Sequence, residues 1–423
     1  MTTLTARPEA PRPAPPASAP GERIASIDAL RGLTILVMIF VNDVAGVGGT
    51  PGWMKHVEPP GADGMTFVDV VFPAFLFIVG MSIPFALGRR LERGEPSRHV
   101  WGHVLLRTLS LLLIGVFMVN TGAMAADGVL PPALWTFLMY AGVMMVWLSP
   151  PPAYRSPLLM RALRWGGLVL LAALALLYRS GDGGGVIQLR PSWWGILGLI
   201  GWAYLVACAV YLVVRDRPTA LLGAVALLYC VYVADAAGAF AGLTLVNGWV
   251  SIGSMLSSHA AITTSGVLLG VMLLPHRPES ASHAARIRRA LLYGLGLAAA
   301  AALLHAARDV HPMFIVNKIA ATPPWCLWSS AITVWIWAAI YWLLDVRRRS
   351  RWSGPLQEAG QNALLAYLLA PVFYALFTLL SVAGLYGALG ARFATGFWRS
   401  LLFALAVTWL AAVLRRRRFV LKL

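Results

Sequence analysis

The sequence predicts an all-α polytopic membrane protein with about 12 transmembrane helices and both termini cytoplasmic. Three observations carry that reading. Of 423 residues, 59% are hydrophobic and only 12% charged, about half the charged fraction of an ordinary soluble domain. Apolar stretches able, or nearly able, to cross a hydrocarbon core of about 30 Å recur along the chain. Basic residues fall in alternate loops, the pattern left by the enrichment of Lys and Arg on the cytoplasmic side.

Taken in order, residues 1–22 are rich in Pro and Ala and lack an apolar core. They are expected to be a disordered cytoplasmic tail with no cleavable signal peptide. Residues 23–423 are expected to form one transmembrane domain, its first helix acting as signal anchor. The first span, 30–46, leads into a Gly/Pro-rich loop, and the second, 68–88, ends at Arg89, Arg90, Arg93 and Arg98. The third, 104–120, and the fourth, 132–148, follow, and Arg155, Arg161 and Arg164 close that pair. A short fifth span, 163–178, precedes the sixth, 193–214, which ends at Arg215 and Arg217. The seventh, 219–236, and eighth, 256–274, run up to Arg277, Arg286, Arg288 and Arg289. After a short ninth span, 290–305, the tenth, 324–344, stops at Arg347, Arg348, Arg349 and Arg351. The eleventh, 362–382, and twelfth, 398–414, finish at Arg415–Arg418.

With the N terminus inside, 27 of the 34 basic residues lie on the cytoplasmic side, which nets +18 against −1 outside. The overall charge of +17 therefore records topology and contact with anionic lipid. It gives no reason to expect nucleic acid. Cys208, Cys230 and Cys326 all fall within spans in no metal or redox arrangement, so no disulfide is predicted. The sequence has no evident internal repeat and no Gly-rich phosphate loop.

Ionisable residues inside a span cost about 2.5–3.5 kcal/mol on insertion scales and mark function. The informative segment is the first helix pair and its connecting loop. Asp28 and Arg31 are three apart and share a helix face, which by itself suits an anchoring salt bridge. Arg31 and Asn42 are eleven apart, three turns almost to the residue, so one polar stripe crosses the membrane and should line a cavity. At the outer end, His56 lies in the loop while Asn42, Asp43 and Asp69 come from the two helix ends that the loop joins. A histidine beside a carboxylate is suited to taking a proton near neutral pH. His259, His305 and His311 are predicted on the outer side, the first two in reach of the same cavity or structural. His99, His103, His276 and His283 sit among arginines and read as solvated surface. No pair has zinc spacing, so no metal is predicted.

At these residues the chain resembles the heparan-α-glucosaminide N-acetyltransferase family of transmembrane acyltransferases. The likeness rests on Ser26-Ile27-Asp28-Ala29-Leu30-Arg31-Gly32-Leu33-Thr34, on Val41-Asn42, on Lys55-His56 and on the run from Thr66-Phe67-Val68-Asp69 to Gly80. It returns at Val316-Asn317-Lys318 and at Gly360-Gln361-Asn362-Ala363-Leu364-Leu365-Ala366-Tyr367. The resemblance implies transfer of an acetyl group from cytosolic acetyl-CoA to the amine of a terminal glucosamine-type sugar on the outer side. It implies His56, Asn42 and Asp69 as the catalytic set, with His56 as base or acyl acceptor. Arg31, Asp28, Asn317, Lys318 and Asn362 would line the acetyl-CoA cavity. The family core has about ten spans, so an extra pair is expected between residues 163 and 236. A family arginine at the start of the fourth core helix is replaced here by Leu134-Trp135. Sugar O-acyltransferases of the acyltransferase-three type share the Asp-x-x-Arg-Gly start, but their histidine stands where this chain has Asn42.

Two other readings remain at this stage. A solute transporter would use Asp28, Arg31, Asp69 and Asp235 as a charged pathway, and a sugar O-acyltransferase would use the same cavity. The expected partners are acetyl-CoA, an amino-sugar or glycan acceptor and membrane lipids, with no nucleic acid and with a homodimer left open. The absence of a targeting peptide suits a bacterial inner membrane.

Overall fold

The computed structural model describes residues 24–181, 186–274, 277 and 282–423. The predicted N-terminal tail and His276 lie outside these residues. Each of the twelve apolar stretches becomes helical. They are α1 (Ala25–Val44), α2 (Phe67–Glu92), α3 (Ser97–Asn120), α4 (Pro132–Trp147), α5 (Pro157–Leu177), α6 (Gly195–Val214), α7 (Pro218–Ala236), α8 (Ile252–Met272), α9 (His283–His305) and α10 (Pro323–Val346). A bent pair follows, α11 (Gly354–Gln361) and α12 (Ala363–Leu379), and then α13 (Phe393–Arg416).

Among the described residues, ten helices are long and apolar enough to cross a membrane, or eleven if the bent pair counts as one span. The expected count of 12 differs for two physical reasons. At 16 residues, α4 rises only about 24 Å, short of the hydrocarbon thickness. The eleventh apolar stretch does not begin as a straight helix, because the chain turns through 82° at Asn362. Broken backbone at membrane depth is tolerated where it lines a cavity.

Close backbone approach ties the centre together. A Cβ on Gly80 of α2 would collide with the Thr263 carbonyl of α8, and one on Gly266 with the Phe77 carbonyl. The two helices therefore cross with main chain against main chain, as small residues permit in membrane packing. The same device joins α1 to α11, where a Cβ on Gly360 would strike the Asp28 carbonyl and one on Gly32 the Leu356 carbonyl. Around these contacts packs a core that includes Phe77, Ile78, Met81, Ile262, Trp325 and Trp337. The flanks of α5, α7, α9 and α13 remain largely exposed apolar surface, as expected of lipid-facing helices.

The two ends are tied differently. Asp345 at the foot of α10 accepts the Ala25 and Ser26 amides at 3.2 and 3.1 Å, satisfying free donors at the start of α1. At the other end Asp43 accepts from Tyr374 (2.8 Å), Tyr386 (2.7 Å), Arg399 (2.8 Å) and Ser400 (2.5 Å). Those bonds fasten α1 to α12, α13 and the short helix Ala383–Ala388. Gly266→Val should force α2 and α8 apart at a cost of about 1–3 kcal/mol from overpacking. The expected outcome is a lower unfolding temperature in detergent, while Gly223→Ala, with open space around its Cβ position, should leave it unchanged.

Candidate functional site

The sequence Thr66-Phe67-Val68-Asp69 is a helix-start signature, and its geometry builds the site. Thr66 accepts the Val68 amide at 3.2 Å, and one Asp69 oxygen, Oδ2, accepts the Thr66 amide at 3.0 Å, which makes a capping box at the start of α2. The same Oδ2 takes the Val57 amide at 3.4 Å. The other oxygen, Oδ1, is thereby aimed at the His56 ring, 2.6 Å from Nδ1. With Nδ1–H donated to the carboxylate, Nε2 is left with the lone pair. The Asp69 side chain is only 3% exposed and that of His56 50%, so the carboxylate is fixed in protein while the imidazole faces outward.

Lys318 completes the cluster, its Nζ 3.1 Å from both ring nitrogens and 3.9 Å from Asp69 Oδ1. It arrives from the loop between α9 and α10, far away in sequence. Burial pushes the Lys318 ammonium below the ordinary lysine value, an effect that the Asp69 charge only partly offsets.

Several contacts hold the two loops together. Asn317 donates to the Pro60 and Ala62 carbonyls at 2.7 and 3.0 Å and accepts the Ala320 amide at 2.8 Å. Asp63 accepts the Val316 amide at 2.7 Å and pairs with His305 Nε2 at 2.7 Å. Burial raises the Asp63 pKa, but the bond from His305, the Val316 amide and the His305 and Arg308 charges outweigh it and hold the carboxyl below its usual value.

A second feature lies at the opposite end. A cavity of about 650 Å³ opens between α1, α2, α3, α6 and α12, within the range of small-molecule sites. Its charged lining comprises Asp28, Arg31, Arg89, Arg107 and Lys422, with His103 and Asn362 beside them. Arg31 donates to Asp28 at 3.0 Å, to Ser82 at 2.5 Å and to the Gly360 carbonyl at 3.2 Å. That position depends on the close approach of α1 and α11. Along α1 the lining runs from Ile24 to Met38, about 20 Å of helix. Asn42 lies one turn beyond its deep end, and Phe75, also in the lining, is six residues, about 9 Å of helix, from Asp69.

The predicted residues thus divide between two places. His56, Asp69 and Lys318 meet directly, and Asn317 braces their loops with its amide engaged by the protein. Asp28, Arg31 and Asn362 border the cavity. Asn42 is exposed at the end of α1 and is not among the residues that line the cavity. Asp43, expected to converge on His56, instead anchors the α12–α13 end of the bundle. His103, expected at solvated surface, lines the cavity, and His283 rests on the Tyr341 hydroxyl at 2.8 Å. His259 is buried against Phe72 and Trp325. Asp235 accepts the Gly253 amide at 2.9 Å, a local contact at the start of α8. Sequence reading passed over Asp63 and the Tyr374, Tyr386 and Arg399 partners of Asp43, for which no short-range signal exists.

The family model described as a domain of unknown function, DUF5009, matches residues 23–252, more than half of the chain. The chain belongs to this family. The matched segment of the DUF5009 family contains α1 to α7, hence His56, Asp69 and the α1–α2 wall of the cavity, but not Lys318 or Asn362. The chain is also similar to the heparan-alpha-glucosaminide N-acetyltransferase of Homo sapiens, at 31% identity over 142 residues. The mouse protein of that name is 34% identical over 123 residues. These alignments take in 31% and 29% of this chain but only 20% and 17% of the relatives, so the chain spans about a fifth of the length of the curated relatives it matches.

The depressed Lys318 sets a pH expectation. Because its folded value lies below that of a free lysine, Lys318 should lose its proton, and become reactive toward acetic anhydride, at lower pH than a lysine in a model peptide. Asp69→Asn removes the charge that favours the ammonium and should move the midpoint lower still. Competitive labelling read by peptide mass spectrometry measures both.

Proposed function

We propose that this protein, with residues 23–423 acting as one transmembrane unit, moves an acetyl group from acetyl-CoA, entering at the basic mouth, to the amine of a glucosamine-type sugar at the His56 end. The observation that carries this reading is His56, held through Nδ1 by Asp69 with Nε2 left as a base, beyond the deep end of a cavity whose mouth is basic. The named acetyltransferase relatives support the reaction class.

Arg31, Arg89, Arg107 and Lys422 suit the phosphates of the donor, since guanidinium groups bind phosphate through paired donors. The cavity takes the pantetheine arm, which reaches about half of the roughly 30 Å core, and brings the thioester toward Asn42. An amine attacks only when neutral. His56 Nε2 accepts the proton as the amine nitrogen bonds to the thioester carbon, and Asp69 stabilises the resulting imidazolium. Asn42 and Lys318 supply donors for the oxyanion. When the carbon–sulfur bond breaks, CoA leaves as the thiolate and is protonated from His56, and the amide remains on the sugar. A transient acetyl group on His56 Nε2 is the two-step form of the same chemistry. The basic loops support a donor mouth on the cytoplasmic side, and a bacterial inner membrane suits this layout.

A general base is worth about 10²–10⁴-fold, so His56→Ala should lower acetyl transfer to glucosamine by at least that factor with unchanged unfolding temperature. Full activity in the variant removes His56 from the reaction. Arg31→Ala should weaken acetyl-CoA binding more than sugar binding, measured by titration of each substrate alone. An unchanged acetyl-CoA affinity overturns that assignment.

A further inference from the structure

The cavity mouth contains a piece of the protein itself. After α13 the chain reverses at Arg418, which adopts a left-handed backbone with φ of 63°, and residues 419–423 return over the cavity. Leu421, Lys422 and Leu423 line it. Two residues form a strand, β2 (Val420–Leu421), antiparallel to β1 (Leu148–Ser149) at the end of α4, with Leu148 opposite Leu421 and Ser149 opposite Val420. The Lys422 amide adds a bond to the Trp147 carbonyl at 3.0 Å.

Asn362 is the clasp. Its Nδ2 donates to the Phe419 carbonyl at 3.0 Å and its Oδ1 accepts the Leu421 amide at 3.2 Å. Both ends of the side chain are thus committed to the main chain of this segment at the break between α11 and α12. A ligand that bonds to the Asn362 amide must take it from the strap. The rest of the attachment is partial: Leu421 and Leu423 pack against the core, but none of residues 419–423 is fully buried. A two-residue strand pair has little stability of its own, Lys422 is exposed, and the Phe419 ring stacks on Tyr154 at a centroid distance of 6.4 Å. Segments with few buried contacts open locally at small cost.

We propose that residues 419–423 are a displaceable strap over the donor cavity, clasped by Asn362, which lifts to admit or release the CoA-type donor and closes again on it. The inference rests on the reading of this cavity as the donor site. It makes the strap the regulator of access and assigns Asn362 to strap closure as well as to the cavity wall. Acyl transfer then occurs behind a closed mouth, with the lid motion setting donor exchange.

The test locks the strap at its own register. Directly opposed strand residues lie within disulfide reach, so Ser149→Cys with Val420→Cys, in full-length protein carrying Cys230→Ser to remove the exposed thiol, gives a reversible lock. Oxidised in the absence of donor, this protein should bind radiolabelled acetyl-CoA at least about tenfold more slowly than when reduced, as for a lid held shut. Oxidised after loading, it should release acetyl-CoA more slowly by a similar factor, whereas a lock that merely distorted the site would speed release. Asn362→Ala should exchange donor faster than the parent. Equal rates in the oxidised and reduced states overturn the strap and leave the donor reading standing. Failure of the reduced form and the parent to bind acetyl-CoA overturns both.

Discussion

Asp69 is the group on which the arrangement turns. One of its oxygens closes the first turn of α2 and the other fixes His56, so a single buried carboxylate sets where the helix begins and which nitrogen of the histidine stays basic. Both tasks favour the ionised form, and each depends on the other. Without the cap the helix start would fray and Oδ1 would lose its aim. Without the carboxylate, His56 would be one more loop histidine, half exposed and free to rotate.

From that point the polar residues sort by depth. The imidazole, the carboxylate and Lys318 form one cluster, reached through two loops that Asn317, Asp63 and His305 hold together. The arginines form another around the mouth of the cavity, where Arg31 spans α1, α2 and α11. Between them α1 is the shared element, with Arg31 near one end and Asn42 near the other. The bundle solves a geometric problem in this way. On the proposed reading, a charged, bulky donor stays at the basic rim, and only a thin arm has to enter the apolar interior.

Much of this was legible in the sequence because membrane burial writes strong local signals. Twelve apolar stretches and twelve helical regions correspond, and Asp28 and Arg31, which helical spacing puts on one face, both border the cavity, whereas Asn42 of the same stripe is exposed and outside its lining. Lys318 was reached by resemblance, without its partner. What local spacing could not supply was pairing across distance. Asp43 sits beside Asn42 in sequence, yet one residue is 100° around the helix, enough to turn it toward Tyr374 and Arg399. The 82° break at Asn362 is invisible to hydropathy because both halves are apolar. Asp63 lies in a Gly/Pro-rich loop that any solvated carboxylate would suit, and only the folded chain brings it to Val316 and His305. The strap escaped notice for a related reason, since five residues after a basic run carry no periodicity.

The most direct measurement uses sealed proteoliposomes containing the purified protein in one orientation. Acetyl-CoA is supplied on the side of the basic mouth and glucosamine only on the other, with no ion gradient. Mass spectrometry should detect N-acetylglucosamine on the acceptor side and free CoA on the donor side, in equal amounts, with neither formed by the His56→Ala protein. Uptake of unmodified glucosamine without CoA release, or acetylation that needs both substrates on one side, would contradict transfer through the bundle to His56.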